Sequence, residues 1–229
     1  MVLTAKPFYF AMNLAFLHTA DVHINTFDTL LTQAGYTDAV FHTVRADLLD
    51  RARVDGIDSV ADDVIEELDR IVQAADADLI VCTCSTIGDL AENAGVKNAT
   101  VWRVDRPLME TAVSKGNRIL LACTLESTLK PSRDLLESVL PNPHNFEIID
   151  YFCAEAWPYF AQDDLAGYAQ AIADALSGAP QTDVIILAQA SMAGAIPLCE
   201  NVDIPILDSP TTAVSAIMDL VNQTPLRPS

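Results

Sequence analysis

Basic residues are scarce in this chain, and long apolar runs are missing. The 13 lysines and arginines stand against 32 acidic residues, giving a formal net charge of −19. Phosphate recognition needs a basic face, so this balance argues against nucleic acid as a partner. Although 51% of the residues are hydrophobic, no apolar run reaches the roughly 20 residues that span a bilayer, which speaks against a membrane protein. The longest run, Phe8 to Leu17, contains Asn13 and leads into His18 and Asp21. It lacks the small-residue cleavage pattern of a signal peptide and reads as a first strand behind a short leader. Neither G-x-G-x-x-G nor G-x-x-x-x-G-K-[ST] follows any strand, which weakens a nucleotide-binding reading. The five cysteines are odd in number and lack the paired spacing of a zinc site or disulfide scaffold, so a reducing cytoplasm is the expected home and no metal is expected.

What the chain does contain is a long internal repeat. Asp78 to Gly88, DLIVCTCSTIG, and Asp183 to Ala193, DVIILAQASMA, lie 105 residues apart, and each carries an Asp, a short apolar run and a break into small polar residues. The same offset places Leu14 to Thr19, LAFLHT, on Ile119 to Thr124, ILLACT. A third pair, Val104-Asp105-Arg106-Pro107 and Leu207-Asp208-Ser209-Pro210, recurs at 103. A period this long is no solenoid repeat; it points to duplication of one α/β unit, with equivalent strand ends facing each other across a pseudo-two-fold cleft.

The periodicity predicts strands at Leu14–His18, Ala39–Val44, Asp78–Cys82 and Val101–Val104 in the first unit. Asn117–Leu121, Phe146–Phe152, Asp183–Leu187 and Ile204–Leu207 are their counterparts in the second. Helices are predicted between them, at Asn25–Ala34, Ile57–Ala75 with Ser59 as its cap, Gly88–Ala94, Leu108–Lys115, Arg133–Leu140 and Leu165–Leu176. A last helix, Thr211–Val221, has no strand after it and is expected to pack back on the first unit. The fold class is therefore α/β: two pseudo-symmetric domains, each a mostly parallel sheet flanked by helices. The boundaries are 1–105 plus 209–229 for the first and 106–208 for the second.

Ligands of parallel α/β sheets bind outside the carboxyl ends of the strands. Those ends carry Thr19, His42, Cys84, Ser85, Thr86, Thr124, Thr128, Gln189, Ala190 and Ser191, with His18 at the end of the first strand. Neutral donors dominate, and one ionisable thiol stands among them. A strongly negative protein repels anions at long range, so a bound carboxylate must be held by hydroxyls and backbone N–H groups. A thiol beside helix N-termini has its thiolate favoured, and it then serves as a base toward carbon or as a nucleophile. Cys82, Cys123, Cys153 and Cys199 read as core, His18 and His42 as either substrate-orienting or strand-capping, and His23 and His144 have nothing in the sequence to distinguish them. The aromatics of Trp157 to Phe160 suit a lid, a dimer contact or core.

The segment VCTCSTIG, with Cys84-Ser85-Thr86, resembles the Cys-Asn-Thr segment of the aspartate/glutamate racemase superfamily. ACTLEST at Ala122 to Thr128 and LAQASM leading to PILDSP resemble further segments of it, in order along nearly the whole chain. The resemblance implies a cofactor-independent enzyme of two pseudo-symmetric α/β domains, commonly a homodimer, acting on a small carboxylate. The superfamily includes amino-acid and hydantoin racemases, maleate isomerases and arylmalonate decarboxylases, and its racemases place two cysteines on opposite faces of the substrate. Here Cys84 meets Gln189 at the repeat-related position, and an amide exchanges no proton near neutral pH. The expected activity is a single-thiol isomerase built on Cys84, with Thr19, His42, Ser85, Thr86, Thr124, Thr128, Gln189 and Ser191 binding substrate. His18, with His42 as the alternative, is the candidate second base if the reaction is a racemisation. The alternatives are a decarboxylase or lyase of the same superfamily, or a carboxylate-binding relative without activity.

Overall fold

The computed structural model describes residues 12–223, so the leader assigned to the first residues lies outside it. Two strands buried along their whole length, Leu14–His18 and Leu79–Cys82, form the centre of the first sheet. Leu14–His18 (β1) is followed by α1 (Val22–Ala34), β2 (Val40–Val44), α2 (Ala46–Asp55), α3 (Ala61–Ala75), β3 (Leu79–Cys82), α4 (Gly88–Glu92) and β4 (Thr100–Arg103). After α5 (Arg106–Val113) the second sheet takes β5 (Arg118–Cys123), α6 (Glu126–Ser138), β6 (Glu147–Phe152), α7 (Trp157–Phe160), α8 (Leu165–Ser177), β7 (Val184–Leu187) and β8 (Ile206–Asp208), and α9 (Ser209–Gln223) closes the described chain. Every ladder is parallel, in the orders β2-β1-β3-β4 and β6-β5-β7-β8.

The duplication is visible in the ladder register. Leu14 pairs with Leu79 and Leu17 with Cys82; 105 residues later Ile119 pairs with Val184 and Ala122 with Leu187. Ile80 with Val101 and Ile185 with Ile206 keep the same offset, and the ladder sets Asp208, the last residue of β8, at the position of Arg103 and not of Asp105, so the 103-residue match of the two Asp-containing segments is a likeness of sequence that lies out of the structural register. Both of those aspartates reach helix starts: Asp105 precedes α5, and Asp208 accepts the Thr211 N–H at 2.7 Å. The aspartates that open the two main repeat segments have a shared structural duty. Asp78 accepts the N–H of Asn13 at 2.9 Å, and Asp183 accepts those of Asn117 and Arg118 at 2.8 Å each, anchoring the chain as it enters each central strand.

Both faces of each sheet are covered, which is why the central strands read as unbroken apolar runs. Ala15, Leu17, Ile80 and Cys82 pack against α2 and α3; Leu14, Phe16, Leu79 and Val81 pack against α1 and against Ala213, Val214 and Ile217 of α9. The last helix thus returns to the core of the first sheet. In the second sheet Leu120, Ala122, Ile185 and Leu187 face α8, and Ile119, Leu121, Val184 and Ile186 face α5 and α6.

Three local expectations change. Ser59 does not cap a helix: its hydroxyl donates to the Gly56 carbonyl at 2.7 Å within a 3-10 turn, Ile57–Val60, and α3 starts only at Ala61. The helix α2 is additional to the predicted set. And α6 begins at Glu126 rather than Arg133, running through Pro131 in its interior.

Gly116 is fixed by close approach: a Cβ there would overlap the side chain of Asp183, the anchor of the second unit. Gly116→Ala should therefore displace that carboxylate and destabilise the protein by about 1–3 kcal/mol, read as a lower urea midpoint at unchanged m-value.

Candidate active site

The carboxyl ends of β1 and β3 from one sheet meet those of β5 and β7 from the other, and side chains from both line one small cavity. Thr19, His23, Thr83, Cys84, Ser85 and Thr86 come from the first unit. Leu125, Thr128, Trp157, Phe160, Gln189 and Ser191 come from the second. Its volume is about 40 Å³, room for roughly three waters. The two units are joined at this level by the Ser85 hydroxyl, which donates to the Ala188 carbonyl at 2.8 Å, and by a 3.4 Å contact between the Thr86 and Ser127 hydroxyls. A side chamber of about 340 Å³ adjoins the cavity through His23, Phe160 and Ser191.

Of the side chains predicted from sequence, Thr19, Cys84, Ser85, Thr86, Thr128, Gln189 and Ser191 do come together. Cys84 and Gln189 each stand two residues beyond ladder-equivalent positions, Cys82 and Leu187, so the thiol and the amide occupy pseudo-symmetric places. Thr124, His42 and His18 are not part of the lining. Thr124 lies behind Gln189, donating both its backbone N–H (2.6 Å) and its hydroxyl (2.9 Å) to Gln189 Oε1, which also accepts the Leu125 N–H at 3.2 Å. Three donors on one oxygen fix the amide's orientation and leave Nε2 as the end free to serve a ligand. His42 reaches away, to Asp28. His18 is completely buried, with both ring nitrogens engaged, and burial together with His23 and His42 pushes it down to about 3. Both ring nitrogens are thus taken, and the ring offers none directly to the cavity.

Hydroxyl polarity also changes the part played by Ser191. Because Thr124 spends its proton on Gln189, it accepts from Tyr168 (3.1 Å), and Tyr168 in turn accepts from Ser191 (2.9 Å). Ser191 thus presents lone pairs, not a proton, to the cavity. Burial raises Tyr168 to about 12, so the relay of hydroxyls stays protonated.

Sequence reasoning passed over His23. It sits in the first turn of α1 and lines both the cavity and the side chamber, and its ring has no hydrogen-bond partner among the described residues. Burial lowers it to about 4, against a smaller opposing pull from Asp21, so the ring is neutral at pH 7. Its only sequence signal was its place just after the first strand end, four residues from Thr19. His23 and Cys84 are the two ionisable side chains of the cavity lining. The remaining thiols are structural: burial raises Cys123 to about 12 and Cys153 to about 11, and pushes Cys82 and Cys199 up as well. The aromatic segment resolves as α7, where Trp157 and Phe160 stack at 5.0 Å over the cavity, and the Arg53 guanidinium of α2 lies 5.4 Å from the Trp157 ring. Among the described residues no three His, Cys, Asp or Glu side chains gather to hold a metal, and no helix is long and apolar enough to cross a membrane.

No protein-family model matches the sequence, and no curated protein does. Solved structures do match over almost the full chain. A glutamate racemase isoform from Bacillus anthracis aligns with a TM-score of 0.68 at 12% identity, covering 91% of this chain and 81% of the other. An aspartate racemase homologue from Pyrococcus horikoshii aligns at 0.67 and 12%, covering 93% and 100%. A glutamate racemase from Francisella tularensis, solved with D-glutamate, aligns at 0.66 and 14%, covering 93% and 82%. With two four-stranded parallel sheets in one repeated order and a cavity where their strand ends meet, the chain shares the α/β fold of these solved racemase structures.

Proposed function

We propose that this protein is a cofactor-independent isomerase that moves a proton at the α-carbon of a small carboxylate, with Cys84 as the reactive thiol and His23 as the second proton-transfer group. The observation that carries this reading is the cavity lining, where one thiol and one unpartnered neutral imidazole are the ionisable side chains and every other polar group is uncharged. Neighbours of like fold are glutamate racemases, one solved with D-glutamate, which supports a carboxylate as ligand. The chemistry balances from the resting forms. Neutral His23 takes the α-proton and becomes imidazolium, and the Cys84 thiol gives its proton to the opposite face of the carbanion; after product leaves, the imidazolium gives up one proton to water and the thiolate takes one back, which restores both resting forms. Gln189 Nε2 and the hydroxyls of Thr19, Thr86 and Thr128 hold the carboxylate. Protonation from one face after loss of CO2 uses the same thiol, so a decarboxylase is the second reading, favoured by the amide at the place of a second thiol.

The test is proton NMR of the protein in D2O with both enantiomers of aspartate and glutamate, hydantoins, maleate and arylmalonates. Exchange of an α-proton for deuterium supports the isomerase and loss of CO2 the decarboxylase. No change with any acid, alongside binding that survives Cys84→Ala, would leave a binding protein. For the acid that reacts, Gln189→Glu should raise KM by on the order of 10²-fold. The new carboxylate keeps the bonds from Thr124 and Leu125 but replaces the Nε2 donor with a like charge, and two charges about 4 Å apart cost up to about 4 kcal/mol at an effective dielectric of 20.

A further inference from the structure

A continuous line of hydrogen bonds runs from the protein surface to the cavity. Asp28, on α1 with its side chain 53% exposed, lies 3.0 Å from His42 Nε2. His42 Nδ1 lies 2.8 Å from His18 Nε2, and His18 Nδ1 lies 2.9 Å from the hydroxyl of Thr83, which lines the cavity beside Cys84. Phe16 stacks on both imidazoles, at 5.5 Å from His18 and 5.3 Å from His42, and keeps the rings nearly parallel. A buried histidine pair needing only satisfied nitrogens would be served equally well by backbone carbonyls. Here each acceptor is also a potential donor, from an exposed carboxylate to a hydroxyl in the site.

We infer that Asp28, His42, His18 and Thr83 form a proton path that connects the cavity with bulk water and resets the acid–base groups between turnovers. This rests on the proton-transfer reading of the site given above. The carboxylate accepts, so the resting chain has hydrogens on His42 Nε2, on His18 Nε2 and on Thr83 Oγ1, each donating outward. When Thr83 receives a proton from the cavity, it passes its own to His18 Nδ1; His18 passes Nε2–H to His42 Nδ1, and His42 releases Nε2–H through Asp28 to water. One proton enters and one leaves, and both rings end as the opposite tautomer. A proton arriving from water runs the sequence backwards and restores the start. The path therefore alternates between export and import, as a site that gives up a proton and takes one back requires. Thr83 has contacts suited to both states: it donates to His18 in one, and in the other accepts from His18 and turns its proton to the Leu17 carbonyl at 3.4 Å. The remaining titratable groups facing the chain are His23, whose ring lies 6.1 Å from that of His18, and Asp21 beside it. Burial keeps His18 neutral, so charge crosses it without resting there.

The test is 15N NMR of histidine tautomers in the full chain, whose four histidines are few enough to assign, as the pH is lowered. As the outer end of the path takes up a proton from water, His18 should change from Nε2–H to Nδ1–H while staying neutral; Thr83→Val should abolish the change and Thr83→Ser preserve it. In turnover, Thr83→Val should slow α-proton exchange at least about tenfold and Thr83→Ser less than about twofold. A His18 tautomer that stays fixed throughout, or a Thr83→Val enzyme as fast as Thr83→Ser, overturns the path. If no acid exchanges, the catalytic reading of the site fails, and the tautomer titration still decides the relay.

Discussion

Cys84→Ala should abolish α-proton exchange, lowering the rate by about 10³-fold or more, and Cys84→Ser should fare little better. A positioned acid or base contributes about 10²–10⁴-fold. The serine hydroxyl ionises far less readily than a thiol, so it restores shape without restoring the proton exchange. The effect should be chemical and not structural. Cys84 lies at the strand end, against the cavity, and its loss leaves no buried polar partner stranded. Cys153→Ala is the control: that thiol is buried in the second unit's core, so removing it should cost about 1–2 kcal/mol of stability and leave exchange largely intact. Mass spectrometry after brief treatment with iodoacetamide should find Cys84 labelled ahead of the four other buried thiols. Exchange in Cys84→Ala within tenfold of wild type would remove the thiol from the mechanism and leave His23 as the group to pursue.

Much of this arrangement was legible in the sequence, for a physical reason. A strand buried on both faces must be apolar throughout, and a duplicated strand keeps its register, so LIVC and VIIL announced both their burial and their equivalence. Cys84 and Gln189 followed from that register alone. What the sequence did not reveal depends on rotamers and on contacts between distant elements. His18 and His42 share strand-end positions with true cavity residues, yet their rings turn toward each other, because β1 and β2 are adjacent and Phe16 to His42 and Leu17 to Thr43 are ladder neighbours. Ser191 was expected to donate to a ligand, but Tyr168, 23 residues away on α8, takes its proton. His23 was passed over because an isolated helical histidine carries no pattern; only the fold shows that its helix opens directly over the strand ends. The helix α6 was begun too late because Thr128 was read as part of a hydroxyl-rich strand end, whereas Glu126 to Thr128 form the first turn of the helix.

Stability should fall steeply as pH drops from 7 toward 4.5, before most of the carboxylates titrate. His18 and His23 are held at about 3 and about 4 in the folded protein, each chiefly by burial, against about 6.5 in an unfolded chain. Both folded values lie below the unfolded one, so the unfolded state binds more protons between them. The stability these rings contribute is fully present above pH 6.5 and is lost as pH falls toward their folded values. Two rings titrating together give a slope of up to about 2.7 kcal/mol per pH unit, and the loss between pH 6.5 and 4.5 is on the order of 3–5 kcal/mol. That is a large part of the roughly 5–15 kcal/mol that holds a domain together. The acidic surface does not offset it in this window, because relief of its self-repulsion waits for carboxylates that ionise near pH 4. Urea unfolding at pH 7.5, 6.0 and 4.5 measures the slope, and His23→Phe, which keeps an aromatic ring in a place that offers no hydrogen-bond partner, should reduce it by about half. A free energy of unfolding that stays level from pH 7.5 to 5 would mean that the two rings accept protons in the folded state, and with that the neutral His23 on which the proposed proton transfer depends would be lost.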